Sequence, residues 1–353
     1  MDDIDIIKKT NISHSKIKNK IIEIDNKFKN KVFDKNKYFR YLKNVDKSNI
    51  TKNCYVSMII ISSSYIPALL NLGYALKNIM KTKYNTVCII QDKPYYEKDI
   101  NGNNFIKFQA LNNEEIENIK KIYDVVIGVD ILRLNLEKKN DIYYINYKNL
   151  LYYCTRSYIL GLTQYEKIIY FDASLYVTSS TDYLFDVYNE STYSVVFYLN
   201  LNRGLNGNFI FIKPKPYYFE KSIYLINNYT NIFNEKNNYY TYFTYDEDIM
   251  YYSIYPYWNK NSISNDLFYN LITNPNYQIE EKKRHVYHVM KNGKLKPFRY
   301  PLMYHIYERN MFNNDCYNYK FWDDGVNLLI KSFPECKKYF EYIKTYRYNN
   351  FTF

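Results

Sequence analysis

Hydrophobic and polar positions change along the chain in blocks that predict strands and helices by turns. The block "YVSMIIIS" (residues 55–62) is a continuous apolar and β-branched run with the length of a buried strand. "YIPALLNLGYALKNIM" (residues 65–80) follows with leucines at helical spacing, and "YNTVCIIQD" returns to a strand pattern. The order strand, helix, strand predicts a βαβ unit.

The same alternation repeats up to residue 171. An amphipathic helix, "NEEIENIKKIYD", precedes the strand "VVIGV", and a second helical pattern, "NLLYYCTRSYILGLTQYE", leads into the strand "KIIYF". Such alternation predicts an α/β fold, Rossmann-like, with a mostly parallel sheet flanked by helices. Ligands of such sheets bind beyond the carboxyl ends of the strands, where residues 62–65 and Asp172 lie.

The two ends of the chain differ from this central part. Residues 1–50 are rich in Lys, Asn and Asp and contain neither Gly nor Pro, so we predict a polar N-terminal extension that is helical or partly disordered. Residues 51–310 hold the alternating pattern and form the predicted domain. Residues 311–353 contain "DDGVNLLIKSFPECKKYFEYIKTY", which predicts a helical C-terminal tail packed on that domain.

The composition indicates a globular protein with an excess of positive charge. With 353 residues, 47% of them hydrophobic, the chain can bury a sizeable core. A net charge of +12 favours an anionic partner such as a nucleotide, a nucleic acid, an acidic glycan or a membrane surface. The A/T-rich genome of a large DNA virus or a protist would also raise Lys, Asn, Ile and Tyr together, and it explains the 46 tyrosines better than any role for tyrosine does. Both explanations stay open.

Cysteine usage and hydropathy bear on the compartment. The cysteines are five in number, widely spaced, and without a CxxC pair or a Cys/His metal spacing: Cys54, Cys88, Cys154, Cys316 and Cys336. This pattern favours a reducing compartment. The start, "MDDIDIIKKTNISHSK", lacks the apolar core of a signal peptide, and no apolar run reaches about 18 residues. We expect a cytoplasmic protein without a membrane span, in the host-cell cytoplasm if the source is viral.

Five motifs occur in a fixed order: "YVSMIIISSSYIPALLNLGYAL", "TRSYILGLTQYEKIIYFDAS", "LNGNFIFIKP", "YDEDIMYY" and "HVMKNGKLKPF". In this order, over residues 55–307, the chain resembles the glycogenin-like glycosyltransferases of family 8. These enzymes have a GT-A-type nucleotide-sugar fold and retain the anomeric configuration. The resemblance implies a UDP-sugar donor, a bound Mn²⁺ or Mg²⁺, and a protein or glycan acceptor.

The first motif resembles the part of the family that holds uracil. The resemblance places Tyr65 as the stacking ring and Ile59, Ile61 and Ser62 as lining residues. Without the family, the interpretation of Tyr65 is a packing residue at the start of a helix.

In the second motif Arg156 matches a basic residue near the sugar and phosphate, where a guanidinium offsets the charge of the departing diphosphate. Its alternative reading is a solvated helix residue.

The second motif also contains a degenerate Asp-x-Asp element. Asp172 matches the first Asp, Ser174 stands in place of the second, and Ala173 between them is assigned to the donor site. The resemblance implies that both carboxylates and a histidine, here His288, hold the metal ion. A serine brings no charge, so this departure predicts weaker metal binding. Lys296 in "KPF" is assigned to the diphosphate as a point charge.

The remaining motifs supply groups near the sugar. Asn206 matches the Asn of the family's Asn-Ser-Gly element, and Asp246 and Glu247 match its Asp-Gln element. Retention needs a nucleophile below the anomeric carbon or departure and attack on one face, and the Glu247 carboxylate would supply the first. Without the family, "NRGLNGN" reads as an ordinary turn, and Asp246 and Glu247 read as the acidic first turn of a helix.

Three function hypotheses follow from these residues. The first is a metal-assisted retaining transferase that moves a hexose, with glucose as the first candidate, from a UDP-sugar to a hydroxyl of a protein or glycan. The second is a related fold with an eroded metal site that binds a glycan or polyanion, or acts structurally, without catalysis. The third, a nucleic-acid-binding protein, has charge and aromatic residues in its favour but no recognisable module, so we expect no such partner. Homo-oligomerisation is left open.

Overall fold

The computed structural model of the protein describes residues 17–31, 33–61, 63–135, 148–173, 175–177, 180–187, 195–200, 204–233, 245–254, 272–273, 287–291, 294–298, 303–305 and 319–341. The strands are β1 (Arg40–Lys43), β2 (Asn53–Ile59), β3 (Asn85–Gln91), β4 (Tyr95–Lys98), β5 (Asn104–Phe108), β6 (Val125–Val129), β7 (Lys167–Phe171), β8 (Leu175–Val177), β9 (Val195–Asn200), β10 (Gly204–Ile212), β11 (Ile272–Thr273), β12 (Tyr287–Lys291), β13 (Lys294–Phe298) and β14 (Met303–His305). The α-helices are α1 (17–28), α2 (Ile66–Tyr74), α3 (Asn113–Ile122), α4 (Leu184–Val187), α5 (Pro216–Asn227), α6 (Tyr229–Phe233), α7 (Tyr245–Ile254), α8 (Tyr319–Ser332) and α9 (337–341).

The main sheet has seven strands in the order β1-β6-β3-β2-β7-β10-β9. Strands β6, β3, β2 and β7 pair in parallel, whereas β1 and β10 run against their neighbours. Within the parallel group the chain order reads 3-2-1-4, as in doubly wound sheets, so the topological switch point lies between β2 and β7. This sheet confirms the predicted Rossmann-like architecture.

Side chains of the parallel strands point alternately to the two faces of the sheet. In β3, Val87 and Ile89 enter one hydrophobic cluster, and Cys88 and Ile90 enter another. The first cluster includes residues of α1, α5, α7 and the 3₁₀ helix Lys148–Gly161; the second includes residues of α2, α3 and α8. Helices therefore cover both faces, which gives three layers. The segment 148–161 was predicted as helical and is a 3₁₀ helix.

The described residues between positions 17 and 50 join the same core. In α1, Ile21, Ile24 and Phe28 are buried in the first cluster, and β1 pairs with β6 at the edge of the sheet. The described residues of the predicted polar extension thus pack on the domain. The division of the chain at residues 50 and 310 stays a prediction.

The predicted helical tail is present as α8, which packs against α2. Val326 and Leu329 are buried in the cluster that also holds Leu69. None of the helices in the described part of the chain is both long enough and apolar enough to cross a bilayer.

A two-stranded ribbon, β4 with β5, follows β3 and stands beside the sheet. At its base the rings of Tyr95 and Phe108 pack against Tyr152 of the 3₁₀ helix. The ribbon therefore begins and ends next to the carboxyl end of β3.

Candidate functional site

Three parallel strands end in the same way. Asp92 directly follows β3, Asp130 follows β6 and Asp172 follows β7. Because carboxyl ends of parallel strands lie along one edge, the three carboxyl groups share that edge of the sheet. Asp172 lies beside the switch point, where an α/β sheet opens a crevice for a ligand.

Asp172 follows β7, and Arg156 lies in the 3₁₀ helix before that strand. The fold brings the two side chains together at this edge. Nη2 of Arg156 lies 3.7 Å from Oδ2 of Asp172, with 15% and 25% of the two side chains exposed. The hydroxyl of Tyr170 donates a 3.4 Å hydrogen bond to the same carboxylate oxygen. The Arg156 guanidinium also lies 5.6 Å from the ring centroid of Tyr170. The result is a partly shielded carboxylate held between a cation and a phenol.

The loop after β2 adopts a strained conformation. Ile61 has a φ of 73°, a left-handed value that is rare for a β-branched residue and costs on the order of 1 to 3 kcal/mol. Its backbone N–H donates a 3.1 Å hydrogen bond to Oε1 of Gln91. A short 3₁₀ turn, Ser63–Tyr65, then leads into α2. Strain of this kind is typical of ligand-binding loops, and this loop lies at the ligand edge of the sheet.

A shallow cleft lies between the ends of β2 and β3. The residues around it come from the strained loop, from Gln91 and from the segment after β5: Ile59, Ile60, Ile61, Ser63, Gln91, Gln109 and Leu111. Ile59 and Ile61, both assigned to the donor from the sequence, border this cleft. Tyr65 is half-buried at the start of α2 and packs on the cluster that holds Ile59 and Ala173. The side chain of Ala173 is buried, so only its backbone could contact a donor.

A second ion-pair cluster lies at the other end of this edge. The Arg40 guanidinium contacts both oxygens of Asp92, from Nε at 2.9 Å and from Nη2 at 2.5 Å, and Nη2 lies 3.0 Å from Asp130. These hydrogen bonds raise the pKa of Arg40. We call Arg40, Asp92 and Asp130 the Arg40 clamp. It fastens β1 to the ends of β3 and β6, and the sequence analysis missed it because Arg40 lies in the segment predicted as a polar extension.

Gly128 makes room for the clamp. It pairs with Arg40 across β1 and β6, and a Cβ atom at this position would overlap with the carboxylate of Asp92. That carboxylate cannot move aside without breaking its two bonds to Arg40. Glycine is therefore required here by a close approach of side chain to backbone.

We expect Gly128→Ala to lower the free energy of unfolding by about 1 to 3 kcal/mol, the usual cost of overpacking. Urea denaturation of the purified variant measures this. Asp92→Ala supplies the control background, because Gly128→Ala should cost almost nothing once the carboxylate is gone. An equal loss in both backgrounds would show that Asp92 is not the group that excludes the methyl.

The other residues assigned from the sequence are described only in part. Ser62 and Ser174 lie outside the described residues. Asn206 lies on β10 next to a register irregularity, since Asn206 pairs with Tyr198 but Ile210 pairs with Phe197. The backbone from Gly204 onward is thus part of a strand, not of a turn.

Two further motifs are placed by their backbones. Asp246 and Glu247 lie in the first turn of α7. His288 lies on β12 and Lys296 on β13, where Val289 pairs with Lys296, so the two residues occupy neighbouring positions of one hairpin.

The donor set for a metal ion is only partly described. Among the residues whose side chains the structure describes, no three His, Cys, Asp or Glu side chains come together. The Asp172 carboxylate is a hard oxygen donor that suits Mn²⁺ or Mg²⁺, and its partial exposure leaves it accessible to an ion. The described side chains thus supply one of the three ligands that the family resemblance implies.

No protein-family model and no curated protein sequence matches the chain. The solved structures similar to it include the apo form of the glycosyltransferase GlyE of Streptococcus pneumoniae TIGR4, with 13% identity and a TM-score of 0.47 over 81% of this chain and 64% of GlyE. The galactosyltransferase LgtC, in complex with donor and acceptor sugar analogues, has 12% identity and a TM-score of 0.46 over 81% of this chain and 99% of LgtC.

A third similar structure is a glycosyltransferase involved in the glycosylation of the major capsid of PBCV-1, with 10% identity and a TM-score of 0.36 over 78% of this chain and 98% of that one. The chain thus spans less than two thirds of GlyE but almost all of the other two proteins. Because these TM-scores are below 0.5, the fold assignment rests on the strand order of the sheet.

Proposed function

We propose that the protein is a GT-A-type glycosyltransferase, similar to the glycogenin-like family 8, that transfers a hexose from a UDP-sugar to a hydroxyl of a protein or glycan. The observation that carries this proposal is the Arg156–Asp172 pair at the switch point of the sheet. The family motif assigns both residues to the diphosphate and its metal ion, and a Rossmann-like sheet binds its ligand at this place.

The diphosphate end of the proposed site combines a metal ion with two positively charged side chains. In the proposal Asp172, Ser174 and His288 would hold Mn²⁺ or Mg²⁺, and the ion would offset negative charge on the diphosphate. Arg156 can leave its 3.7 Å contact with Asp172 for a phosphate oxygen, because a guanidinium matches phosphate geometry. Lys296 adds a second positive charge on the same diphosphate.

The uridine end uses the strained loop. Tyr65 stacks on the base, while Ile59, Ile61 and Ser62 line it and the backbone of Ala173 borders the ribose and phosphate. A ring at the start of α2, partly buried and packed on the core, is held in place before the ligand binds. Stacking of a base on an aromatic ring is worth about 1 to 3 kcal/mol in single-stranded nucleic-acid complexes.

The sugar end uses residues of β10 and α7. The family resemblance assigns Asn206 to the sugar, and Asp246 and Glu247 to the reacting carbon. Retention proceeds either through Glu247 as nucleophile or by departure and attack on the same face of the sugar. Glucose is the first donor sugar to test, because the resemblance is to glycogenin-like enzymes.

Release of UDP from a panel of UDP-sugars, with Mn²⁺ and with a mixture of proteins and glycans as acceptors, tests the proposal. We expect release with one donor above the level of a variant that lacks the Asp172 carboxylate. Equal release by both proteins with every donor would refute catalysis. In this proposal the protein acts in the cytoplasm. The described cysteines Cys54, Cys88, Cys154 and Cys336 are buried, and none of them forms a disulfide bond with another described cysteine.

The second candidate function is a transferase-like fold kept for binding. Ser174, in the place of the second metal carboxylate, is the observation that favours it. The net charge of +12 would then hold an acidic glycan or another polyanion. Binding to heparin that weakens steeply with salt, in a protein that does not bind UDP, would support this candidate over the enzyme.

A further inference from the structure

Gln91, the last residue of β3, is a buried amide that joins three parts of the candidate site. Its side-chain Oε1 accepts the N–H of Ile61 at 3.1 Å. Its Nε2 donates to the carbonyl oxygens of Lys93 at 3.0 Å, two residues before β4, and of Phe108 at 3.3 Å, the last residue of β5. Its backbone carbonyl accepts the N–H of Leu111. Only 2% of the residue is exposed.

The partners fix the orientation of this amide. A backbone N–H can only donate, and a backbone carbonyl can only accept, so the oxygen of Gln91 must face Ile61 and the nitrogen must face Lys93 and Phe108. Turning the amide over would set like groups against each other at all three contacts.

The contact to Ile61 coincides with the strained point of the loop. Ile61 has left-handed backbone dihedrals, which an isoleucine leaves readily unless its surroundings hold it. Gln91 accepts the N–H of that same residue. The strained loop and the end of β3 thus share one hydrogen bond inside the cleft.

We infer that Gln91 is a positioning residue that keeps the loop between β2 and α2 in the conformation that binds the uracil end of the donor. This inference rests on the proposed function for the identity of the ligand. If the loop spends less time in its binding conformation, the apparent affinity for the donor falls in proportion to the fraction of protein that remains in that conformation. Donor at saturating concentration refills that conformation, so the maximal rate is preserved.

Three variants test the inference. Gln91→Met removes both the acceptor and the donors at similar volume. Gln91→Glu keeps an oxygen for the Ile61 N–H but loses the donors. Gln164→Met is the control, because Gln164 is a half-buried amide away from the cleft that accepts from the side chain of Lys35 and donates to that of Tyr41.

Amide hydrogen exchange of a peptide covering residues 59–65, in the ligand-free protein, is the first readout. We expect faster exchange in Gln91→Met than in the wild type and in Gln164→Met, with an intermediate rate in Gln91→Glu, whose second oxygen faces the carbonyl groups of Lys93 and Phe108. The Kd for UDP is the second readout, and we expect at least about a tenfold increase in Gln91→Met. The kcat at saturating donor should stay unchanged, which a general loss of structure would not allow.

The two readouts separate the two claims. Unchanged exchange over residues 59–65 in Gln91→Met would overturn the positioning role, whatever the protein binds. An unchanged Kd for UDP despite faster exchange would overturn the link between the loop and the donor. If the wild-type protein binds no UDP, the claim that the loop binds the donor is refuted together with the proposed function. The exchange data still decide whether Gln91 holds the loop. A circular dichroism melt confirms folding, and if Gln91→Met does not fold, Gln91→Asn replaces it, because the shorter amide cannot reach Ile61, Lys93 and Phe108 together.

Discussion

Replacing Asp172 by Asn is expected to lower UDP-sugar turnover by at least about 100-fold and to remove the effect of Mn²⁺ on UDP binding. Loss of an outer-shell partner of a metal typically costs about 10- to 100-fold in affinity or activity, and a direct carboxylate ligand should cost at least that. With Ser174 in the neighbouring position, Asp172 is the one carboxylate of the Asp-x-Asp element.

Asp130→Asn is the matched control. Asp130 also follows a parallel strand at the same edge of the sheet, but its partner is Arg40. Steady-state release of UDP gives kcat and KM for both variants. A similar fall in turnover in Asp130→Asn would mean that removing any carboxylate from this edge of the sheet lowers turnover, and that Asp172 has no specific role. A turnover of Asp172→Asn within about threefold of the wild type would remove Asp172 from the metal site.

Replacing Asp25 by Asn is expected to lower the free energy of unfolding by about 3 to 5 kcal/mol, because it leaves a buried cation without its counter-ion. Nζ of Lys221 on α5 lies 2.7 Å from Oδ1 of Asp25 on α1, and both side chains are almost fully buried. Burial lowers the pKa of Lys221, and the hydrogen bond from Lys221 to Asp25 opposes that shift. The pair fastens the N-terminal helix to the first hydrophobic cluster.

Two comparisons make this prediction specific. The double variant Asp25→Leu with Lys221→Met should recover most of the stability, since apolar side chains of similar volume often replace a buried pair without loss. Glu166→Gln breaks the exposed pair with Lys52 and should cost at most about 1 kcal/mol. Urea denaturation measures all three, and a loss below about 1 kcal/mol in Asp25→Asn would show that the pair is not buried in solution.

The central strands were predictable because each is built around a short apolar, β-branched run with few polar residues. Parallel strands covered on both faces need no polar positions, and β3 and β7 show this pattern directly. Asp172 was predictable for the same reason, since it is the first acidic residue after such a run. The ordered motifs then supplied Arg156, which the fold brings next to it.

The Arg40 clamp, Gln91 and the buried Asp25–Lys221 pair were not predicted. Each joins residues that are far apart in sequence: Arg40 with Asp92, Ile61 with Gln91, and Asp25 with Lys221. Local patterns of hydrophobicity carry no information on such contacts. In a segment rich in Lys and Asn, the sequence does not distinguish the buried Asp25 from exposed polar residues around it. A polar residue ending a strand, as at Gln91 and Asp92, was the one local signal available.

The most direct test of the proposed function is a calorimetric titration of UDP into the purified protein, with and without Mn²⁺, run in parallel on Ser174→Asp. We expect micromolar UDP binding by the wild type that depends on Mn²⁺, and a metal affinity increased by about 10- to 100-fold in Ser174→Asp. No UDP binding by the wild type under either condition, with binding restored in Ser174→Asp, would contradict the proposed function and would show a nucleotide site that this chain no longer uses.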